Sequence, residues 1–315
     1  MKKKLFPFNN YAPIVLFTYD RPDHVRAVLN SLKNNEEAKE SALIVYSDAP
    51  KNKRAEVGVK MTRELLKDVT GFKKVTIIER SENYGLANNI IEGISSVLCD
   101  FDRVIVLEDD HLVSPFFLKY MNEALVKYEN DEKVASIHGY VYPCKEELPP
   151  LFFIKGADCW SWATWKRAWK VFNPNGQELL DELRKRKLEK EFDFGFNANY
   201  VEMLIKQIAG KNSSWAVRWY ASTFLADMYT LYPGRSMMRI IGADGSGTHG
   251  AVTNSFDVNL NDAPIDIETI PSNDDNIIGR KAFESFFNSL LSSKLKLYKY
   301  LCLLFNKRIL TKYVY

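Results

Sequence analysis

Three consecutive acidic residues end a strongly apolar stretch in the first half of the sequence. Glu108, Asp109 and Asp110 directly follow the run Val104–Leu107. Burying adjacent carboxylates costs free energy unless a cation compensates their charge. Mg²⁺ and Mn²⁺ take oxygen ligands, and a protein that supplies one or two carboxylates leaves coordination positions for diphosphate oxygens. The acidic run therefore predicts a site for a divalent metal and a diphosphate, with a solvated acidic turn as the alternative.

Two more polar clusters follow β-branched runs earlier in the chain. Thr18, Asp20 and Arg21 stand at the end of the first run, and Asp48 follows the second. Ligands gather at the carboxyl ends of parallel strands, so these clusters and the acidic run are expected at one edge of a sheet. Helix capping and surface pairing are the alternative for Asp20, Arg21 and Asp48, because helix caps favour aspartate.

The elements that would position these residues follow from the apolar pattern. Short β-branched runs alternate with longer segments of helical period, and that alternation predicts an α/β fold with a mostly parallel central sheet flanked by helices. Pro22 and Pro115 stand where helices are expected to begin. The predicted strands are Ile14–Thr18, Leu43–Ser47, Val75–Ile78 and Val104–Leu107.

Composition limits the classes of protein to which the chain could belong. Its 315 residues carry a formal net charge of +3, and no arginine-rich run accompanies that charge, so no nucleic-acid partner is expected. The four cysteines form no C-x-x-C pair, which favours a reducing compartment. We identify no signal peptide and no stretch of about 20 apolar residues. The expected location is cytoplasmic.

The acidic segment resembles a known motif. Residues 104–117 are similar to the acidic donor motif of glycosyltransferases with the GT-A fold, especially N-acetylglucosaminyltransferase I-like enzymes. The resemblance implies that Asp110 binds the metal, Mn²⁺ or Mg²⁺, and that Glu108 binds the nucleotide ribose, with Asp109 between them.

Other segments extend the resemblance over roughly residues 12 to 250. Residues 18–22 resemble the end of the first strand that faces the nucleotide in family-two-like enzymes. Asp48 matches the position that often holds the uracil ring. Residues 80–86 resemble the R-x-E-N-x-G segment beside the donor, which implies donor contacts for Arg80 and Asn83.

Tryptophans mark the expected acceptor side. All six fall after Pro149-Pro150, and the segment 159–165 resembles the acceptor side of the same enzymes. An indole offers a broad face and one N–H donor to a sugar ring, although most tryptophans are core residues. The candidates for acceptor binding are Trp160, Trp162, Trp215 and Trp219.

A glycine-rich segment follows in the sequence. Residues 242–250 resemble the late G-x-S-H-G loop of the N-acetylglucosaminyltransferase I-like enzymes, and glycines allow such a loop to close over a ligand. His249 is a candidate metal or diphosphate ligand, and a histidine with neither role is the alternative.

The catalytic base departs from the resemblance. By its spacing from the glycine-rich segment, Trp215–Trp219 corresponds to the W-D-D-W segment that supplies the catalytic base in N-acetylglucosaminyltransferase I-like enzymes. It contains no acid. An inverting transfer still needs a proton acceptor. Asp244 is the first candidate, with a turn-forming aspartate as the alternative. Asp227 and Glu202, on predicted helices, are the other candidates.

The C-terminal tail has its own composition. Residues 285–315 contain no acid, and lysines and one arginine interrupt a run of Leu, Phe and Tyr. This pattern predicts a basic amphipathic helix on an anionic membrane surface. A helix docked on the core is the alternative.

Together these features predict one function and one domain plan. We expect transfer of a sugar from a nucleoside diphosphate donor, UDP in the first instance, to a hydroxyl of a glycan or lipid-linked glycan, as in bacterial surface polysaccharide synthesis. The resemblance implies inversion. A sugar nucleotidyltransferase and a non-catalytic binding protein are the alternatives. The expected parts are two halves of one GT-A domain, 1–150 for the donor and 151–255 for the acceptor and catalysis, with 256–315 as a C-terminal extension.

Overall fold

The computed structural model describes residues 11–245, 253–268 and 274–291. Its strands are β1 (Ile14–Thr18), β2 (Ala42–Ser47), β3 (Lys74–Glu79), β4 (Arg103–Glu108), β5 (His111–Val113), β6 (Val134–His138), β7 (Leu151–Lys155), β8 (Trp162–Trp165), β9 (Tyr229–Pro233) and β10 (Met238–Ile240). Its helices are α1 (Pro22–Lys33), α2 (Lys53–Lys67), α3 (Gly85–Asp100), α4 (Phe117–Lys127), α5 (Lys166–Trp169), α6 (Gly176–Lys185), α7 (Glu189–Phe192), α8 (Tyr200–Ile208), α9 (Ala216–Leu225) and α10 (Ile277–Leu290).

One eight-stranded sheet organises the described residues, in the order β3-β2-β1-β4-β8-β6-β9-β7. Strands β1 to β4 are mutually parallel. The core runs of β1 and β4 are buried because helices cover both faces of such a sheet, whereas β3, at its edge, is only partly buried. The four strands predicted from the sequence are therefore confirmed. Proline is also found at the first position of α1, as predicted.

Strand β8 reverses the direction of the sheet in its middle. It is antiparallel to β4 on one side and to β6 on the other, whereas β6 and β9 are parallel to each other. Consequently the carboxyl ends of β1, β2, β4, β6 and β9 and the amino end of β8 all lie at one edge of the sheet. A second sheet pairs β10 with β5 in antiparallel fashion beside this edge.

The segments before and after residue 150, the expected boundary between the two halves, belong to one continuous structure. Strands β7, β8 and β9 come from the second half but belong to the same sheet as β1 to β4. The described part of the extension is also attached, since Asn261 donates its backbone N–H to Ser236 O at 2.7 Å. The donor half and the acceptor half thus share one core.

Helix α10 is docked on that core. Phe283, Phe286 and Phe287 are buried, and all three contact the ring of Tyr142 at centroid distances of 4.9 to 5.2 Å. For residues 285–291 the docked-helix alternative is therefore correct, because this aromatic face is already covered. Residues 292–315, where most of the predicted membrane helix falls, lie outside the described residues. Within the described part of the chain, no helix is both long and apolar enough to cross a bilayer.

Ending the chain after Phe283 should destabilise it. The deletion removes Phe286, Phe287 and Leu291, which are buried, and removing one buried phenylalanine side chain costs about 3–5 kcal/mol. We expect a lower urea midpoint and a lower Tm than for the full chain. A chain that ends after Leu291 is the matched control and should keep the stability of the full chain. Equal stability of the two truncated chains would contradict the docking of α10.

Candidate donor site and acceptor side

The acidic run lies at the carboxyl end of β4, beside the end of β1. The guanidinium of Arg21 forms ion pairs with Asp109 and, at 3.2 Å from Nη2 to Oδ2, with Asp110. The backbone N–H of Tyr19 also donates to Asp109 Oδ2, at 3.2 Å. Asp109 is buried by these contacts, whereas the Asp110 side chain keeps 18% of its surface exposed. Asp110 is therefore the carboxylate of this pair that a ligand can reach.

The charges of this cluster do not balance. Burial, together with the charges of Asp110 and Asp109, raises the pKa of Glu108 to about 8. Burial by itself lowers the pKa of Arg21, but the charges of Asp109 and Asp110 raise it above its ordinary value. Three carboxyl groups thus lie beside one guanidinium, and a Glu108 with this pKa is mostly protonated at pH 7.

His111 completes the cluster and was not among the site residues expected from the sequence. Burial lowers its pKa to about 4, so the ring is neutral at pH 7. Its Nδ1 accepts the backbone N–H of Glu108 at 3.3 Å, which places the ring proton on Nε2, 3.5 Å from Asp110 Oδ1. His111 therefore orients Asp110. Its place directly after the three acids was the signal that could have identified it.

The segment after β10 closes over the same acids. Ile241 donates its N–H to the backbone oxygen of Asp110 at 2.9 Å. A Cβ at Gly242 would displace the Asp110 carboxylate and Arg21 Nη1, so Gly242 packs directly against these two side-chain ends. Asp244 lies 3.3 Å from His24 Nε2 on α1, on the Arg21 side of the acids. His249 lies outside the described residues.

A divalent cation fits this cluster if the donor supplies part of its ligands. Among the described residues, no group of three or more His, Cys, Asp or Glu side chains is arranged to hold an ion alone. Mg²⁺ in particular is bound by one or two carboxylates together with waters and substrate phosphates. The accessible carboxylate of Asp110 and the excess negative charge around it match that donor set.

Asp48 is committed to the backbone around it. Its Oδ1 accepts the N–H groups of Ala49 and Tyr84, and its Oδ2 accepts from Gly85 N–H and the amide of Asn83, all at 2.9 to 3.1 Å. A carboxylate has about four acceptor positions, and here all four are used. This arrangement argues against the uracil contact expected for Asp48 and the donor contact expected for Asn83, because both residues hold the start of α3 in place.

Arg80 is also held by the protein. Its guanidinium lies between the rings of Tyr46 and Tyr84, at 4.9 and 4.2 Å from the centroids. It donates to Asn89 Oδ1 at 2.9 Å and to Glu92 Oε1 at 2.7 Å. The charge of Arg80 is paired with Glu92, while its Nη2 is buried without a hydrogen-bond partner among the described residues, so the donor contact expected for Arg80 stays a prediction.

The remaining residues at the end of β1 differ in accessibility. The Thr18 hydroxyl is buried and donates to Tyr46 O at 3.4 Å, so Thr18 supports the strand end from inside. Asp20 is partly exposed, and its backbone oxygen contacts Gly58 of α2 closely enough that only glycine fits there. Arg21, not Asp20, is the residue that precedes α1, and no side chain caps that helix. The capping interpretation of Asp20 is therefore wrong.

Three of the four candidate acceptor tryptophans are core residues. Trp162 and Trp219 are fully buried, and Trp215 stacks on Trp162 at a centroid distance of 5.7 Å. This corrects their assignment to the acceptor, because their faces are covered by one another. Trp160 alone among the four is partly exposed, and its ring contacts Tyr140 at 4.9 Å.

One of the three base candidates, Asp227, lies at the opposite edge of the sheet from the acids. Asp227 follows the end of α9 with a φ of 54° and precedes the amino end of β9, which is the opposite edge of the sheet. It forms ion pairs with Lys155 at 2.6 Å and Arg186 at 3.4 Å. Both the helix prediction and the catalytic prediction for Asp227 are therefore wrong. Glu202 lies on α8, where its carboxylate is 3.8 Å from Lys206.

A further carboxylate lies at the carboxyl edge of the sheet. Asp158, between β7 and β8, accepts the hydroxyl of Tyr142 at 2.6 Å and the N–H of Cys159 at 2.8 Å. His138 Nε2 is 4.0 Å from it. Asp158 was not among the site residues expected from the sequence. Its position directly before the tryptophan-rich segment 159–165 could have identified it as a candidate.

One family model accounts for most of this arrangement. The model of glycosyl transferase family 2 matches residues 14–185, which is more than half of the chain. The chain belongs to glycosyl transferase family 2. The match runs from β1 to the end of α6 and includes the acidic run, Arg21 and Asp158. Family 2 membership and the observed sheet confirm the expected glycosyltransferase with a GT-A fold.

Three solved structures are similar at low identity. The mannosyltransferase PcManGT from Pyrobaculum calidifontis, in complex with GDP-Man and Mn²⁺, is 16% identical with a TM-score of 0.34, over 56% of this chain and 47% of that chain. TarS from S. aureus is 13% identical with a TM-score of 0.34, over 52% and 30%. UDP-glucose pyrophosphorylase complexed with UDP-glucose is 13% identical with a TM-score of 0.36, over 78% and 97%.

The family match alone therefore supports the assignment. This chain spans less than half of the mannosyltransferase and less than a third of TarS. No curated protein matches the chain.

Proposed function

We propose that this family 2 enzyme transfers a sugar from a nucleoside diphosphate donor, with UDP as the first nucleotide to test, to a hydroxyl of a glycan or lipid-linked glycan. The observation that carries the proposal is the accessible carboxylate of Asp110, which lies beside Arg21 at the carboxyl edge of the sheet. Helix α1 begins at Pro22, directly after Arg21, and the amino terminus of a helix favours an anion such as a diphosphate.

The residues of the site suggest separate tasks in this reaction. Asp110 would hold Mn²⁺ or Mg²⁺, which when bound neutralises the departing diphosphate. Arg21 Nη1 is buried and has no hydrogen-bond partner among the described residues, so it is suited to a donor oxygen. Glu108, with its raised pKa, can donate a hydrogen bond to a ribose hydroxyl. Trp160 is the tryptophan that remains for acceptor contact. We propose transfer with inversion at the anomeric carbon.

A thermal-shift screen with product analysis tests this proposal. We expect one nucleotide sugar with Mn²⁺ to raise Tm more than either alone, because a ligand at 100 times its Kd adds about 2.7 kcal/mol of stability. Slow release of nucleoside diphosphate should accompany that binding. Binding without release would indicate a non-catalytic protein, and release of pyrophosphate would indicate a nucleotidyltransferase. No response to any nucleotide sugar would contradict the proposal.

The location of the enzyme is a separate proposal. We place it on the inner face of the cell membrane, through the basic residues that follow Leu291. The chain that ends after Leu291 tests this without disturbing α10. It should bind liposomes of anionic lipid less than the full chain does, and binding of the full chain should weaken as salt rises.

A further inference from the structure

The carboxylate of Asp158 is held in a fixed orientation. Each of its oxygens accepts one hydrogen bond, Oδ2 from the Tyr142 hydroxyl at 2.6 Å and Oδ1 from Cys159 N–H at 2.8 Å. Both oxygens keep acceptor positions, and 19% of the side chain is exposed. In this respect Asp158 differs from Asp48, whose four acceptor positions are all used. It can still receive a proton from a bound molecule.

The support for Asp158 comes from distant parts of the chain. Tyr142 is enclosed by Phe283, Phe286 and Phe287 of α10, and its hydroxyl also lies 3.3 Å from that of Tyr200. Helix α10 therefore fixes the residue that orients Asp158. A carboxylate with such support needs no reorganisation before it acts.

The backbone around Asp158 is strained. Ser161, three residues further on, is buried with a φ of 47°, a conformation that costs a non-glycine residue about 1–3 kcal/mol. Strain of this kind persists where the surrounding structure imposes it, and it is concentrated at functional sites.

Asp158 lies close to the donor acids. The last register pair of β4 and β8 is Val106 with Trp162, so the chain that enters β8 from Asp158 lies at the edge of the sheet where Glu108 ends β4. The backbone N–H of Trp160 donates to His138 Nε2 at 3.0 Å, which anchors this segment to the end of β6. Burial raises the pKa of the Cys159 thiol, and the charges of both Asp158 and Glu108 raise it further. The two carboxyl groups thus share one neighbourhood.

The order of residues along the sheet edge separates two sides of the site. Arg21 follows β1 and Asp110 follows β4, while Asp158 precedes β8 and lies by the end of β6. Asp244 lies beside α1, at the Arg21 end of this row. In an inverting displacement the attacking hydroxyl approaches from the side opposite the leaving diphosphate. Asp244 is therefore on the leaving-group side, and Asp158 is on the side of the acceptor.

We propose that Asp158, rather than Asp244, is the proton acceptor of the transfer reaction, an inference that rests on the proposed function. The acceptor oxygen forms a bond to the anomeric carbon as the bond from that carbon to the diphosphate breaks. The electron pair of the broken bond leaves with the nucleoside diphosphate. The hydroxyl proton moves to a carboxylate oxygen of Asp158, as general base catalysis requires.

The test compares Asp158→Asn with Asp244→Asn and with a matched control, Asp181→Asn. Asp181 is exposed on α6 and accepts a hydrogen bond from the side-chain amide of Gln177. UDP-glucose, UDP-N-acetylglucosamine and GDP-mannose serve as donors, with water and simple alkyl glycosides as acceptors. We expect Asp158→Asn to lower kcat by about 10²- to 10⁴-fold, the usual contribution of a general base, while donor affinity and Tm are retained. The control should keep the kcat of the native chain.

Two further variants keep the test decisive if Asp158→Asn fails to fold. Asp158→Glu keeps the charge but moves it, and Tyr142→Phe removes the hydrogen bond to Oδ2 together with the contact to the Tyr200 hydroxyl. Both should lower kcat with donor affinity unchanged, and an unchanged kcat in both would overturn the inference. Loss of transfer in Asp244→Asn but not in Asp158→Asn would also overturn it. A native chain that neither binds nor cleaves any donor would instead contradict the proposed function itself.

Discussion

Replacement of Asp110 by alanine should abolish metal-dependent binding of nucleotide sugars while the chain stays folded. The side chain is partly exposed, and it fills no packed volume in the core. Its removal takes away the accessible carboxylate that a hard divalent cation would use. We expect isothermal titration with UDP and Mn²⁺ to show no metal-dependent component, and donor cleavage should fall to background.

The control for this experiment separates charge from fold. Asp181→Ala removes an exposed carboxylate on α6 and should leave both binding and cleavage unchanged. The Tm of Asp110→Ala without ligand should remain near that of the native chain. Unchanged affinity for Mn²⁺ and UDP in Asp110→Ala would contradict the role assigned to this residue.

Replacement of the neighbouring Asp109 by alanine should instead destabilise the fold. Asp109 pairs with Arg21, and the two side chains are only 6% and 17% exposed. The change removes one of the two carboxylates that face Arg21 and leaves the buried backbone N–H of Tyr19 without its acceptor, while Asp110 still pairs with Arg21, so we expect a cost of about 1–3 kcal/mol. We expect urea unfolding to show a lower midpoint with an unchanged slope, which is the signature of a change in stability alone.

Two comparisons make this second prediction sharper. The pair of Arg26 and Asp23 on α1 is exposed, so Asp23→Ala should cost only about 0–1 kcal/mol. Arg21→Met should also lower the stability, because it leaves the buried Asp109 carboxylate without its cation. If Asp109→Ala were as stable as the native chain, the buried ion pair would not be what orders this edge of the sheet.

Adjacent acids in one sequence run are thus expected to behave differently. Asp109 points to Arg21 and Tyr19 N–H, while Asp110 is oriented by His111 and contacts the segment after β10. The sequence places the two residues side by side but does not show which carboxylate is buried in an internal ion pair and which stays accessible. That difference depends on strand β1, about 90 residues earlier in the chain.

The sequence by itself determined the first four strands, the direction in which they run and the acidic run at the end of β4. Those features are local, because a buried parallel strand must be a continuous apolar run and a helix must cross back to the next strand. The first turn of α1, with Pro22, was predictable for the same reason.

Only the tertiary structure decided which polar and aromatic residues remain available. Trp162 and Trp219 are hidden because α9 and β8, more than 50 residues apart in the chain, bring their rings together. Asp227 is removed from the site by the direction of β9, and Asp158 is brought to it by the antiparallel insertion of β8 between β4 and β6. The order of strands in a sheet depends on contacts between distant segments, and no periodicity within a single segment encodes it.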